Sequence, residues 1–108
     1  MFIILCNFYF ILHKIVYILC NRLAKLKNYR SRNDKEVDFV LRKETRVERL
    51  VQVCYDLSSP KTEKREVDSI VECAGELKCD NLIIVTKEDE RTIKKDGYTI
   101  KVLPISKF

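Results

Sequence analysis

Glycine is scarce in this sequence, and its scarcity excludes one large class of function. The 108 residues contain two glycines, Gly75 and Gly97, and no run that ends in Gly-Lys-Ser or Gly-Lys-Thr. A P-loop needs backbone N–H groups at glycine-rich positions to surround the phosphates of a nucleotide. The sequence therefore excludes an ATP-binding motor of the P-loop type, and its length fits one small domain with a single core.

Acidic residues are absent from positions 1–33, which carry six basic side chains. Positions 34–108 hold 15 basic and 16 acidic residues, so the net charge of +5 comes from the N-terminal segment. A basic segment attracts the phosphates of nucleic acid or of anionic lipid. Nucleic acid is therefore a candidate partner, although charges spread in this way also suit a solvated helix and turn.

Histidine occurs once, at position 13, and the five cysteines have no regular spacing. An odd number of cysteines without a secretory layout is typical of reduced thiols, which predicts a cytoplasmic protein. Cys73 and Cys79 lie close in sequence, but a zinc site needs further ligands that lie far away. We therefore expect the cysteines to act as small buried hydrophobic residues.

Residues 1–20 form a long apolar stretch with three clearly polar side chains. A stretch of this length can cross a bilayer as a helix, although Lys14 inside a spanning helix costs about 2.5 to 3.5 kcal/mol. Residues 1–27 also suit a helix that packs on the domain or on a partner. If the stretch spans a membrane, the basic flank at 22–32 keeps residues 28–108 in the cytoplasm.

Two runs in the middle of the chain alternate apolar and polar residues, as β-strands do. They predict strands over residues 36–42 and 49–55, joined by a charged turn within 42–49. A short edge strand is predicted over residues 28–32. Together these form a meander of three strands.

The same alternation predicts which side chains share a face of the sheet. It places Glu36 and Asp38 together, on the face opposite Val37 and Phe39. It also allows Asp38 and Gln52, from neighbouring strands, to face the same side.

A helix follows the meander. Ser59 is a predicted N-cap. Pro60 suits the first helical position, because a backbone N–H at that position makes no hydrogen bond within the helix and its loss costs nothing. The predicted helix covers residues 60–78, and a fully apolar strand over 81–86 comes next. The order strand, helix, strand predicts a crossover that sets this strand parallel to the third strand of the meander.

The end of the chain carries a hairpin signal. Asp96 and Gly97 both tolerate the positive φ of a type I′ turn. They predict a hairpin over residues 91–104.

Five collinear blocks carry a resemblance to a known family: residues 36–40, 50–57, 64–66, 76–82 and 102–107. Together they resemble the C-terminal domain of unknown function attached to a family of archaeal and bacterial AAA-type ATPases. The resemblance covers residues 28–108 and implies an α/β sandwich of the restriction-endonuclease-like superfamily. That fold has an N-terminal helix, a three-stranded meander, a crossover helix, a parallel strand and a C-terminal hairpin.

In that superfamily the metal site takes an aspartate from one strand and a Glu-x-Lys triplet from the next. Asp38 stands at the aspartate position, whereas Gln52 and Cys54 stand where the glutamate and lysine are expected. A neutral amide binds Mg²⁺ more weakly than a carboxylate, and a thiol lacks the positive charge of lysine. The resemblance therefore implies a degenerate site without catalytic residues. Glu36 precedes Asp38 by two residues on the same predicted face, so these two acids are the candidate metal ligands.

The resemblance implies a non-catalytic interaction domain and not an enzyme. Such a domain corresponds to the C-terminal module of an ATPase without its motor, and it needs no cofactor. Its expected partner is a protein, either an ATPase or a second copy of this chain. Two alternatives remain open: a metal-dependent endonuclease with a degenerate Mg²⁺ site, and a small membrane-anchored protein.

Overall fold

The computed structural model describes residues 25–108, which form an α/β fold with one mixed six-stranded sheet and one α-helix. The elements in chain order are β1 (Lys25–Arg30), β2 (Glu36–Lys43), β3 (Arg46–Val53), α1 (Pro60–Leu77), β4 (Leu82–Thr86), β5 (Arg91–Lys95), β6 (Tyr98–Pro104) and a 3₁₀ turn (Ile105–Lys107). The strand order across the sheet is β1-β2-β3-β4-β6-β5.

The N-terminal part of the sequence-based prediction needs correction. Residues 25–27 belong to strand β1 and not to a helix that reaches position 27, because they pair antiparallel with β2. The remainder of the predicted N-terminal helix, including the candidate membrane anchor at residues 1–20, lies outside the described residues. Within the described part of the chain, no helix is long and apolar enough to cross a membrane.

The β2–β3 hairpin is longer at its turn than the sequence predicts. The strands continue to Lys43 and resume at Arg46, so that only Glu44 and Thr45 form the turn. Charged residues can belong to these strands because an antiparallel hairpin needs only one face packed on the core, and the other face can lie in solvent. At its other end β3 stops at Val53, two residues before the predicted end.

A bulge in β2 breaks the alternation that the sequence predicts. Lys27 of β1 pairs with Val40, and Tyr29 pairs with Val37, so β2 holds one more residue than β1 between these pairs. Val37 and Val40 consequently pack into the same cluster beneath α1, while Phe39 packs into the cluster on the other face. The prediction that Val37 and Phe39 share a face is wrong, because a bulge shifts the alternation by one residue.

The crossover was predicted correctly. α1 begins at Pro60 after Ser59 in extended conformation, and it ends where Lys78 adopts the left-handed region with φ of 55°. The Ser59 side chain makes no capping hydrogen bond, so its role as N-cap is limited to its backbone. β4 runs parallel to β3, with Leu50 paired to Leu82.

Two apolar layers explain why β4 has no polar face. Leu82 and Ile84 pack into the cluster under α1, and Ile83 and Val85 pack into the second cluster on the opposite face. A strand with both faces buried reads as a continuous apolar run.

The C-terminal hairpin was also predicted correctly. Lys95 pairs with Tyr98 around a two-residue loop in which Asp96 and Gly97 have φ of 51° and 84°. Positive φ at both central residues is the signature of the type I′ turn. β6 returns parallel to β4, next to it in the sheet.

Candidate functional site

Asp38 lies in the bulged part of β2, at the point where β2 and β3 stop pairing. The last backbone pair of the hairpin at this end is Phe39 with Val51. Beyond it, the Asp38 carboxylate accepts a hydrogen bond from the Val53 N–H at 2.8 Å. The pKa of Asp38 is raised, mainly by burial and further by the negative charges of Glu66 and Glu36. The hydrogen bond from the Val53 N–H lowers the pKa but does not cancel the rise.

Gln52 occupies the centre of the site and is 7 % exposed. Its Oε1 accepts a hydrogen bond from the Asp38 N–H at 3.0 Å. Its Nε2 donates to Glu66 Oε2 at 2.5 Å and to the Glu36 carbonyl at 3.4 Å. One neutral amide therefore links β2, β3 and α1, which satisfies polar groups that would be costly to leave unpaired in a buried position.

Glu66 is a site residue that the sequence analysis did not assign. It comes from α1, and its side chain is only 14 % exposed. Its second carboxylate oxygen lies 3.4 Å from Nη2 of Arg65. The signal was present in the sequence, because Glu66, Ile70 and Cys73 recur at helical spacing and thus lie on the stripe that faces the sheet.

Asp38 and Gln52 come together as the sequence predicts, whereas Glu36 bonds to Gln52 only through its backbone carbonyl. Tyr29 and Val37 pair on the side of the sheet that α1 covers, so the next pair, Arg30 with Glu36, lies on the opposite face. The Glu36 carboxylate forms an ion pair with Arg30 Nη2 at 3.1 Å. The expectation that Glu36 and Asp38 share a face is wrong, and the β2 bulge is the reason.

Cys54 follows β3 and is buried, with 8 % exposure. Its thiol donates to the Asp56 carbonyl at 3.4 Å. Burial is the main cause that raises the pKa of Cys54 to about 11, so the thiol is neutral near pH 7. The Asp56 carboxylate has a different role. It accepts a hydrogen bond from the Ser58 N–H at 2.9 Å and thereby stabilises the turn before α1.

The arrangement is a closed hydrogen-bond network and not an open cavity. Within residues 25–108, no group of three or more His, Cys, Asp or Glu side chains is placed to hold a metal ion. Two open depressions of about 790 and 600 Å³ are lined by other parts of the chain. Neither depression includes Asp38, Gln52 or Glu66 in its lining.

A second network ties the turn between β1 and β2 to α1. The Tyr29 hydroxyl donates to Glu76 at 2.8 Å, and the Arg32 N–H donates to the same carboxylate at 2.9 Å. Ser31 and Asn33 donate to Glu72, one turn earlier in the helix. This network holds the β1–β2 turn against α1 and fixes where β2 begins.

Comparisons with protein-family models, with curated proteins and with solved structures find no match to this chain.

Proposed function

We propose that this chain is a non-catalytic interaction domain with a restriction-endonuclease-like arrangement, similar to the C-terminal module of an AAA-type ATPase. The element order supports this proposal. A meander of β1, β2 and β3, then the crossover helix α1 and the parallel strand β4, is the order that the resemblance implies. The proposal also rests on the residue blocks that carry the resemblance.

The bonding of Gln52 is the single observation that carries the non-catalytic part of the proposal. In a metal-dependent nuclease, carboxylates hold the cation and a lysine helps to activate water. Here the amide at position 52 is occupied on both its oxygen and its nitrogen by groups of the protein. The amide donates to Glu66 at the place where a cation would otherwise balance the acids.

The loss of charge at two positions sets the size of the expected defect. Replacement of a metal-binding carboxylate weakens the binding of the cation, and replacement of the lysine removes the positive charge that orients and activates the attacking water. Each loss is expected to lower the rate by a factor of about 10² to 10³. Gln52 and the neutral Cys54 thiol together predict no measurable hydrolysis of DNA.

A metal-dependent endonuclease is the second candidate, because one observation favours it. Glu66 brings a second carboxylate close to Asp38, and Gln52 bonds both to the Glu66 carboxylate and to the backbone N–H of Asp38. A divalent ion that displaced the Gln52 amide would find two acidic ligands there. The alternative requires the breaking of a buried network, so we rank it second.

The proposed partner is a protein, either an ATPase or another copy of this chain. The proposed location is the cytoplasm, since Cys54, Cys73 and Cys79 are free thiols in the described part of the chain. A membrane anchor at residues 1–20 remains the alternative for location. Alkaline extraction of cell membranes tests it, because an anchored protein stays in the membrane pellet.

A nicking assay on supercoiled plasmid, with Mg²⁺ or Mn²⁺, tests the non-catalytic function. We expect no metal-dependent nicking by the wild type. Nicking by the wild type that is lost in Asp38→Ala would overturn the proposal in favour of the nuclease. The double substitution Gln52→Glu with Cys54→Lys is expected to gain activity if the scaffold has kept its geometry, and circular dichroism controls for folding.

A further inference from the structure

Strand β5 forms one edge of the six-stranded sheet, since it pairs with β6 and is last in the strand order of the described residues. An edge strand has a row of backbone N–H and C=O groups that another extended chain can pair with. Four of the five β5 residues are exposed, and the fifth, Ile93, is half-buried. The edge is thus accessible along its length.

The hairpin geometry identifies the backbone groups that point outward. In a hairpin with a two-residue loop, the residues that flank the loop form a hydrogen-bonded pair, and hydrogen-bonded pairs then alternate along the strands. Lys95 and Tyr98 flank the loop. The N–H and C=O groups of Thr92 and Lys94 therefore face away from β6 and are offered to an incoming strand.

Two basic side chains next to this edge lie on the same face of the sheet. Thr92 pairs with Lys101, and Lys94 pairs with Thr99. Lys101 stands beside Ile83 in the register of β6 with β4, which puts this set on the face opposite α1. Among the ion pairs of residues 25–108, neither Lys94 nor Lys101 takes part.

We propose that the β5 edge binds an extended acidic segment of a partner protein as a seventh strand of the sheet. The inference rests on the proposed interaction function and names its surface and the chemistry of its partner. The outward N–H and C=O groups of Thr92 and Lys94 pair with the backbone of that segment. Carboxylates at alternate positions of the segment lie on the same face as Lys94 and Lys101 and complement their charge.

Two other occupants fit this edge less well. A second copy of the chain would set β5 against β5 and bring the positive charges of Lys94 and Lys95 of both copies close together, which is destabilising. Nucleic acid would complement the lysines, but its phosphates accept hydrogen bonds and cannot donate to the outward C=O groups. Lysines at an edge disfavour pairing with strands that do not neutralise their charge, and they favour pairing with an acidic strand. They therefore contribute to specificity for an acidic partner.

A binding assay with a fluorescent peptide tests the proposal on the full chain. The probe is an acetylated peptide of about eight residues that alternates glutamate with valine, a length suited to one strand. Its matched control carries an N-methyl group on every backbone nitrogen, which removes the donors of both edges of the peptide without a change in charge. A second control replaces every glutamate by glutamine.

Three protein variants separate backbone pairing from charge attraction. Thr92→Pro removes an outward N–H and leaves the bonds of β5 to β6 in place, as proline is tolerated at an edge strand. Lys94→Glu with Lys101→Glu reverses the charge. Lys61→Glu reverses an exposed charge at the start of α1, away from the edge, and serves as the matched control.

We expect saturable binding of the glutamate peptide by the wild type and by Lys61→Glu. Binding should weaken by about tenfold or more with the N-methylated peptide, with Thr92→Pro and with the charge-reversed variant. No saturable binding by the wild type, or equal binding of the N-methylated peptide, would overturn the proposal. So would a dimer that Thr92→Pro dissociates, or binding of a single-stranded oligonucleotide that depends on the lysines but not on Thr92.

The outcome is separable from that of the proposed function. Plasmid nicking by the wild type refutes the non-catalytic function whether or not the peptide binds. A wild type that neither nicks DNA nor binds the peptide refutes the β5 edge as the docking surface. The N-methylated peptide keeps the test valid if Thr92→Pro fails to fold, because it changes nothing in the protein.

Discussion

Replacement of Gln52 by glutamate should destabilise the protein in a pH-dependent way. In the wild type, Nε2 of Gln52 lies 2.5 Å from Glu66 Oε2. Gln52→Glu puts a second carboxylate oxygen in that position. Two unit charges about 3 Å apart repel by about 5 kcal/mol at an effective dielectric constant of about 20.

Proton uptake limits this penalty. A glutamate with an ordinary pKa of about 4.3 can be protonated at pH 7 at a cost of about 3.7 kcal/mol, which is less than the repulsion. At pH 5 the same protonation costs about 1 kcal/mol. The new carboxyl has a pKa raised in the folded state, so its penalty grows as pH rises above the ordinary pKa. We therefore expect Gln52→Glu to lower the free energy of unfolding by about 3 to 4 kcal/mol at pH 7 and by about 1 kcal/mol at pH 5.

Urea unfolding followed by circular dichroism at the two pH values measures the effect. Gln52→Met is the matched control, since it has a similar size, removes the same hydrogen bonds and adds no charge. It leaves the Asp38 N–H without its partner, and should cost about 1 to 3 kcal/mol at both pH values. Mn²⁺ should restore stability to Gln52→Glu and not to Gln52→Met, because a dication neutralises the adjacent carboxylates. Equal stability of Gln52→Glu and the wild type at pH 7 without metal would refute the reasoning about this network.

Three further predictions concern other parts of the structure. The Arg32 N–H and the Tyr29 hydroxyl lower the pKa of Glu76 below its ordinary value of 4.5, so its stabilisation is present above that value and is lost as pH falls through the lowered pKa. Thermal unfolding should therefore separate the wild type from Glu76→Gln at about pH 6 and bring them together once the pH falls below the lowered pKa, whereas a constant difference would contradict this origin. Burial raises the pKa of Cys54 to about 11, so at pH 8 its alkylation should be slower than that of a free cysteine by a factor on the order of 10². Mass spectrometry of the native protein measures this rate, and rapid labelling would contradict the burial of the thiol. Gly97→Ala should destabilise the protein by about 1 kcal/mol because the φ of Gly97 is +84°. Gly75→Ala should stabilise it by about 0.5 to 1 kcal/mol, because the added Cβ meets only the Tyr98 hydroxyl, at 3.8 Å. Urea unfolding measures both changes, and two changes of the same sign would contradict the reasoning.

The sequence by itself determined the elements whose signals are local. Pro60 and the apolar stripe that follows it set the start and the buried face of α1, and Asp96-Gly97 set the last hairpin. The apolar run of β4 and the order strand, helix, strand were sufficient to predict parallel pairing with β3. These features depend on residues within a few positions of each other, so one sequence is enough to read them.

Part of the candidate site was also accessible from sequence. Regular alternation correctly brought Asp38 and Gln52 to the same side. It failed for Glu36, because the additional residue of the β2 bulge reverses the faces of everything before it. Alternation depends only on adjacent residues of one strand. It therefore gives no sign of a bulge, where pairing with a neighbouring strand shifts the alternation by one residue.

Tertiary structure alone decided what Gln52 contacts. Glu66 is 14 residues away in the chain, and it reaches Gln52 because α1 crosses the sheet at a particular angle and distance. The Val53 N–H is available to Asp38 because the β2–β3 ladder ends two residues earlier, at the pair of Phe39 with Val51. Such contacts follow from how a helix packs on a twisted sheet and where strands part, which depends on the whole core rather than on any segment of the sequence.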